Sequence, residues 1–118
     1  MTTSAERCLF CRIANGDINA RKVYEDDKVL AFEDINPQSP THVLVIPRRH
    51  IATLDDLTEA DTMIVGELVR RAAAIARDQH LNNDGYRLVV NCGEAAGQTV
   101  FHLHIHLLGG RTFGWPPG

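Results

Sequence analysis

The sequence is short of the features that mark several protein classes. It has no block of basic residues, and its 118 residues carry a net charge of −3 with both signs interspersed. A nucleic-acid partner is therefore not expected, because such binding is carried by clustered Lys and Arg. Long apolar runs are missing too; Val43 to Ile46 is typical of the longest. Nothing approaches the ~20 apolar residues that cross a bilayer, so no membrane partner is expected. The opening "MTTSAERCLFCR" has no positive stretch leading into an apolar one and does not read as a secretory signal. The cysteines number three, an odd count that argues against a disulfide framework. With no signal, the expected location is cytoplasmic. Repeats, low-complexity segments and linkers are also lacking. One domain over residues 1–118 is expected, with an ordered core from about 8 and an irregular tail over 111–118.

The hydrophobic fraction, 44%, is that of an ordinary folded chain. "VLAFED" (29–34) reads as a strand stopped by Pro37 and Pro40, and "HVLVIP" (42–47) as a buried strand closed by Pro47. Thr58, with Asp61 three residues on, resembles a capping box and opens a helix to about Gln79. Its apolar stripe is Ile64, Leu68, Ala72 and Ile75, flanked by Val65, Val69 and Ala76. Glu67 and Arg71, four apart, can pair. Gly85 in "LNNDG" ends this segment, "YRLVVN" (86–91) is a strand, and "VFHLHIHLL" (100–108) is the last strand. Some five strands, grouped rather than alternating with helices, predict an α+β fold with a mostly antiparallel sheet.

Three of the six histidines fall at alternate positions in "FHLHIHLLGG". A strand places His102, His104 and His106 on one face, in a cleft or in water, and Phe101, Leu103, Ile105 and Leu107 on the other, packed inward. Same-face neighbours lie about 6.6 Å apart along a strand, so two imidazoles can converge on one metal but three cannot easily do so. The preceding "CGEAAGQT" has Gly93 and Gly97, which let backbone N–H groups approach an anion, with Gln98 and Thr99 as side-chain donors. An imidazole beside such a phosphate cradle fits nucleophilic attack on phosphorus. A hairpin connection is the plainer reading of the loop alone.

"CLFC" pairs Cys8 with Cys11. Redox chemistry would need a βαβ context that this chain lacks; a zinc half-site or buried thiols remain. His50 and His102 are the candidates to complete Cys₂His₂. Cys92 reads as packing. Asp34, at a strand end, is either a turn residue before proline or an acceptor for sugar hydroxyls. Phe10, Ile13, Ile18, Phe32 and Ile35 either wall a base pocket or fill the core.

"HLHIHLL" fits His-φ-His-φ-His-φ-φ, with φ apolar, and resembles the signature of the histidine triad family of nucleotide hydrolases and transferases. "FEDINPQSPTHVLVIPRRHI", "GYRLVVNCGEAAGQTVFHLHIHLLGG" and the closing "WPPG" resemble its purine nucleoside phosphoramidase branch, from about Cys8 to Gly118. The resemblance implies a short N-terminal helix ahead of the sheet and a homodimer with one continuous sheet. It implies a purine nucleotide or nucleoside phosphoramidate as substrate and a nucleotidyl-histidine intermediate. His104 matches the nucleophile, His106 the phosphate-orienting residue and His42 the supporting histidine. Asp34 and Ile35 match ribose and base contacts, Asn91 a sugar or phosphate contact, and Gly97, Gln98 and Thr99 the phosphate loop. Many relatives carry Ser where this chain has Thr99. Relatives with Cys-x-x-Cys bind a structural zinc through the counterparts of Cys8, Cys11, His50 and His102, and the resemblance implies no divalent metal for the chemistry. Trp115 matches a wall of the partner's pocket. Dinucleoside polyphosphate hydrolysis, nucleotidyl transfer and a non-catalytic zinc-stabilised nucleotide-binding module are the rival readings.

Overall fold

The computed structural model describes residues 7–118, so the reading of the opening segment falls partly outside the described residues. The elements are α1 (Leu9–Ala14), β1 (Lys22–Glu25), β2 (Val29–Glu33), β3 (Thr41–Pro47), α2 (Thr62–Asp78), β4 (Tyr86–Val89) and β5 (Ile105–Gly109). The five strands form one sheet in the order β1-β2-β3-β5-β4, every neighbouring pair antiparallel. This is the expected α+β fold with one long and one short helix.

The near-continuous apolar runs of β2 and β3 follow from a sheet covered on both faces. Val29, Ala31, Val43, Val45, Ile105 and Leu107 face α2, which buries Leu68, Ala72, Ile75 and Ala76 against them. The alternate residues Leu30, Phe32, Leu44 and Ile46 face Phe10, Cys11 and Ile13 of α1. His42 and His106 belong by alternation to this second face. Burying a leucine such as Leu68 contributes about 2–3 kcal/mol, so each layer depends on a handful of such residues.

Several expectations are corrected. Thr58 and Asp61 do pair, the carboxylate accepting from the Thr58 N–H at 2.9 Å. They cap a short 3₁₀ turn (Glu59–Asp61), and α2 itself starts at Thr62. Val69 lies half-exposed because it sits at the stripe's edge. Glu67 pairs with Arg70, whose Nε and Nη2 both donate at 3.0 Å, while Arg71 lies 3.8 Å over the Tyr24 ring. The helix is ended by His80, not Gly85: His80 takes φ 61°, with the Leu81 N–H on Ala76 O at 2.8 Å and the His80 N–H on Arg77 O at 3.0 Å.

The last strand begins at Ile105 rather than Val100, and β4 ends at Val89 rather than Asn91. Ahead of β5 the chain leaves the sheet because its polar groups find partners elsewhere. The Leu103 N–H bonds Ile51 O at 2.6 Å, and the His102 Nε2–H bonds Pro47 O at 2.7 Å. Phe101, expected to pack inward, is therefore half-exposed. His102 is completely buried and does not share a strand face with His104 and His106.

Candidate active site and metal centre

The register of β3 and β5 sets Leu44 against His106 and His42 against Leu108. His42 and His106 are thus diagonal neighbours on one face, a separation long side chains can bridge. Their Nε2 and Nδ1 atoms lie 2.9 Å apart. His104 precedes β5, edge-on to Phe10 with ring centroids 5.1 Å apart.

Each proton position follows from a partner with only one possible role. The Gln38 N–H must donate, so His42 Nδ1 accepts it at 3.0 Å and the His42 proton sits on Nε2. That Nε2–H donates to His106 Nδ1, with Asp34 Oδ2 a longer alternative at 3.4 Å. The His106 proton is left on Nε2, the nitrogen turned away from His42. The His102 carbonyl must accept, so His104 carries its proton on Nδ1 and donates at 2.7 Å. His104 Nε2 is left with a free lone pair. Burial lowers the pKa of all three rings; for His106, burial and then His104 and His42 push it down to about 4. Neutral rings at neutral pH are what a nucleophile and a directional donor require.

His104 and His106 line a cleft of about 290 Å³. Phe10, Ile13, Ile18, Phe32 and Ile35 form its apolar wall, and Asp34 and Thr99 its polar edge. Phe10, Ile13 and Phe32 are buried in the core and line the cleft as well. Ile35 is almost fully exposed. Asp34 is a turn residue as well, accepting the Asn36 N–H at 2.8 Å. A larger cleft of about 590 Å³ lies between Arg87 and Phe113, but it brings no pair of ring nitrogens together.

On the other side of His102, Cys8, Cys11, His50 and His102 bring four donor atoms within 4.8 Å of one another. Sγ of Cys8 and of Cys11 lie 3.3 and 3.4 Å from His102 Nδ1, and Sγ of Cys11 lies 3.2 Å from His50 Nδ1. Tetrahedral zinc, with Zn–S near 2.3 Å and Zn–N near 2.0 Å, sets its sulfur and nitrogen ligands about 3.6 Å apart. The donor set and its spacing fit that ion. His102 also has the tautomer a ligand needs, Nε2–H donated to a carbonyl and the Nδ1 lone pair facing the thiols. Burial, then Cys8, pushes the Cys11 thiol up to about 12; a dication is what makes such a thiolate pair stable. Asp34, His42 and His106 also gather ligand atoms within 4.8 Å. There the tautomer is wrong for a metal: His42 Nδ1 already accepts a backbone N–H, so its Nε2 holds the proton.

A model of the HIT domain matches residues 15–113. The chain belongs to the HIT domain family. It is 46% identical over 112 residues to a 14 kDa zinc-binding protein of Zea mays, covering 93% of this chain and 87% of that one. Among solved structures, a HIT family hydrolase from Legionella pneumophila superposes with a TM-score of 0.93 at 50% identity, covering 94% of this chain and 99% of the other. A histidine triad nucleotide-binding protein from Candida albicans gives 0.79 at 30%, covering 94% and 84%. The chain is thus a HIT domain with a hydrolase-like fold, and its cysteine–histidine cluster has the donors and spacing of a structural zinc site.

Three further positions shape the site of this HIT domain. Gln98 offers no donor to a phosphate: its Oε1 accepts the Gly93 N–H at 2.9 Å, and its Nε2 donates to Ala52 O and Val100 O at 2.9 and 3.1 Å. It braces the loop, which explains why so polar a side chain is 2% exposed. Asn91 lies past the end of β4 beside Gly97, whose φ of 100° requires glycine. Gln38, which fixes the tautomer of His42, was missed from the sequence; its backbone N–H leaves no trace in residue type. Among the described residues no helix is long and apolar enough to cross a membrane.

Proposed function

We propose that this HIT domain releases a nucleoside 5′-monophosphate from nucleoside phosphoramidates or adenylylated compounds through a nucleotidyl-His104 intermediate. The observation that carries this reading is the bond from His104 Nδ1–H to the His102 carbonyl, which leaves Nε2 as a neutral nucleophile lining an apolar-walled cleft beside His106. Nε2 attacks the α-phosphorus, the P–N bond breaks, and the nitrogen takes up a proton from solvent and departs as an amine. Water then attacks the adduct, the N–P bond breaks, the imidazole is restored and a proton returns to solvent. The His106 Nε2–H, held by His42, donates to a phosphate oxygen where charge develops. Thr99, on the polar edge, aids the leaving group, Gly97 lets the loop backbone approach the phosphate, and Asn91 beside Gly97 contacts sugar or phosphate. Asp34 accepts from the ribose, and Ile35 with Phe10, Ile13, Ile18 and Phe32 takes the base.

The purine phosphoramidase assignment rests on the likeness of "WPPG" and its neighbouring segments to that branch. A homodimer completes the proposal. β4 is an open edge strand, and Trp115, 85% exposed, is available to a partner's cleft. Incubation with a fluorogenic adenosine phosphoramidate tests the activity. AMP and free amine are expected from wild type. No release, or undiminished release by His104→Ala, would defeat the proposal.

A further inference from the structure

We infer that the cluster of Cys8, Cys11, His50 and His102 is a positioning device for His104, holding the peptide that fixes the nucleophile's proton. The inference rests on the reading of His104 as nucleophile. One peptide unit joins the two sites. Its carbonyl, on His102, accepts the His104 Nδ1–H at 2.7 Å, and its N–H, on Leu103, donates to Ile51 O at 2.6 Å. The His102 ring is held on both nitrogens, by Pro47 O at 2.7 Å and by the two thiols at 3.3 and 3.4 Å. The two carbonyls that accept from this clamp, Pro47 O and Ile51 O, belong to residues 47–51, and His50 in the same segment lies 3.2 Å from Cys11 Sγ. The cluster therefore ties the segment 47–51 and the start of α1 to one carbonyl oxygen. That oxygen decides whether the His104 lone pair lies on Nε2, facing the substrate, or on Nδ1, facing the protein.

His50→Ala tests this in the full chain, because His50 is the cluster residue with no hydrogen bond to His102 or to His104. Two readouts are taken: the ¹⁵N spectrum of the His104 ring, which reports the Nδ1–H tautomer directly, and the kcat against KM split. Expected are loss of the single Nδ1–H state and a fall in kcat of about 10–100-fold, the range seen when partners that orient metal ligands are removed, with KM changed less than about threefold. Cd²⁺ added to His50→Cys, which keeps a metal donor, is expected to restore both. Ile75→Val, on α2 and outside the four-residue cluster and its hydrogen bonds, lowers stability alone and is expected to leave the His104 spectrum unchanged. If His50→Ala does not fold, both readouts are taken on wild type titrated with a chelator, with far-ultraviolet circular dichroism following the fold. Loss of the tautomer while the fold persists supports the inference. A His104 spectrum indifferent to the metal, or one lost only with the fold, overturns it. A wild type that forms no adduct defeats the reading of function instead, since the ring spectrum does not depend on turnover.

Discussion

Replacing His42 with alanine removes the group that holds the His106 proton in place. His42 is 6% exposed and makes two bonds, from the Gln38 N–H at 3.0 Å and to His106 Nδ1 at 2.9 Å. Truncation leaves both partners unmatched in a half-buried site, at about 1 kcal/mol each, and opens a void besides. A stability loss of about 2–4 kcal/mol is expected, read as a lower urea midpoint at unchanged slope. The effect on turnover is separable. Freeing the tautomer leaves the Nε2–H form in about half the molecules, a twofold loss. Losing about 1 kcal/mol of orientation costs a further factor of about five. Together kcat falls about tenfold, well short of the 10²–10³-fold expected when a donor to the developing charge is deleted outright, as in His106→Ala. Phosphoramidase kinetics below the unfolding transition decide it. A kcat within twofold of wild type would refute the relay, and so would a loss equal to that of His106→Ala.

Three further outcomes follow from the same geometry. His106 is pushed from 6.5 to about 4 and His42 is lowered by burial, so both bind fewer protons folded than unfolded. Their contribution is full above about pH 6.5 and is lost as pH falls toward 4, for His106 at most about 3 kcal/mol and nearer 1–2 given its partial exposure; denaturant midpoints that do not fall on acidification contradict this. His80→Gly removes a Cβ from φ 61° and is expected to stabilise the chain by about 1 kcal/mol in urea unfolding. Gln98→Leu strips partners from the Gly93 N–H and the Ala52 and Val100 carbonyls and should cost about 2–4 kcal/mol. It should also raise KM more than it lowers kcat, a split that steady-state kinetics will show or deny.

Much of this was legible in the sequence where periodicity or residue type carries the signal. β2, β3 and α2 follow from apolar runs and a 3.6-residue stripe, while Cys-x-x-Cys alone left zinc open and the resemblance to the histidine triad family was needed to single out His50 and His102, which the fold brings to the two thiols. β1 was not located, since "KVYE" has no alternating pattern and only half-buries its middle residues. The early end of the last strand was hidden for a different reason. "FHLHIHL" (101–107) alternates throughout, yet bonds to Pro47 and Ile51, some fifty residues away, keep its first residues out of the sheet. His80 was passed over because a left-handed residue other than glycine is uncommon. The bracing bonds of Gln98 have no signal in the sequence, because a polar side chain beside glycines suits a ligand and a loop brace equally well.

The most direct measurement is rapid-quench mass spectrometry of wild type mixed with an adenosine phosphoramidate. Expected is a transient species heavier by one adenylyl group, located on His104 by fragmentation and missing from His104→Ala. An adduct on another residue, or AMP release from wild type with no protein-bound nucleotide at any time, would contradict it.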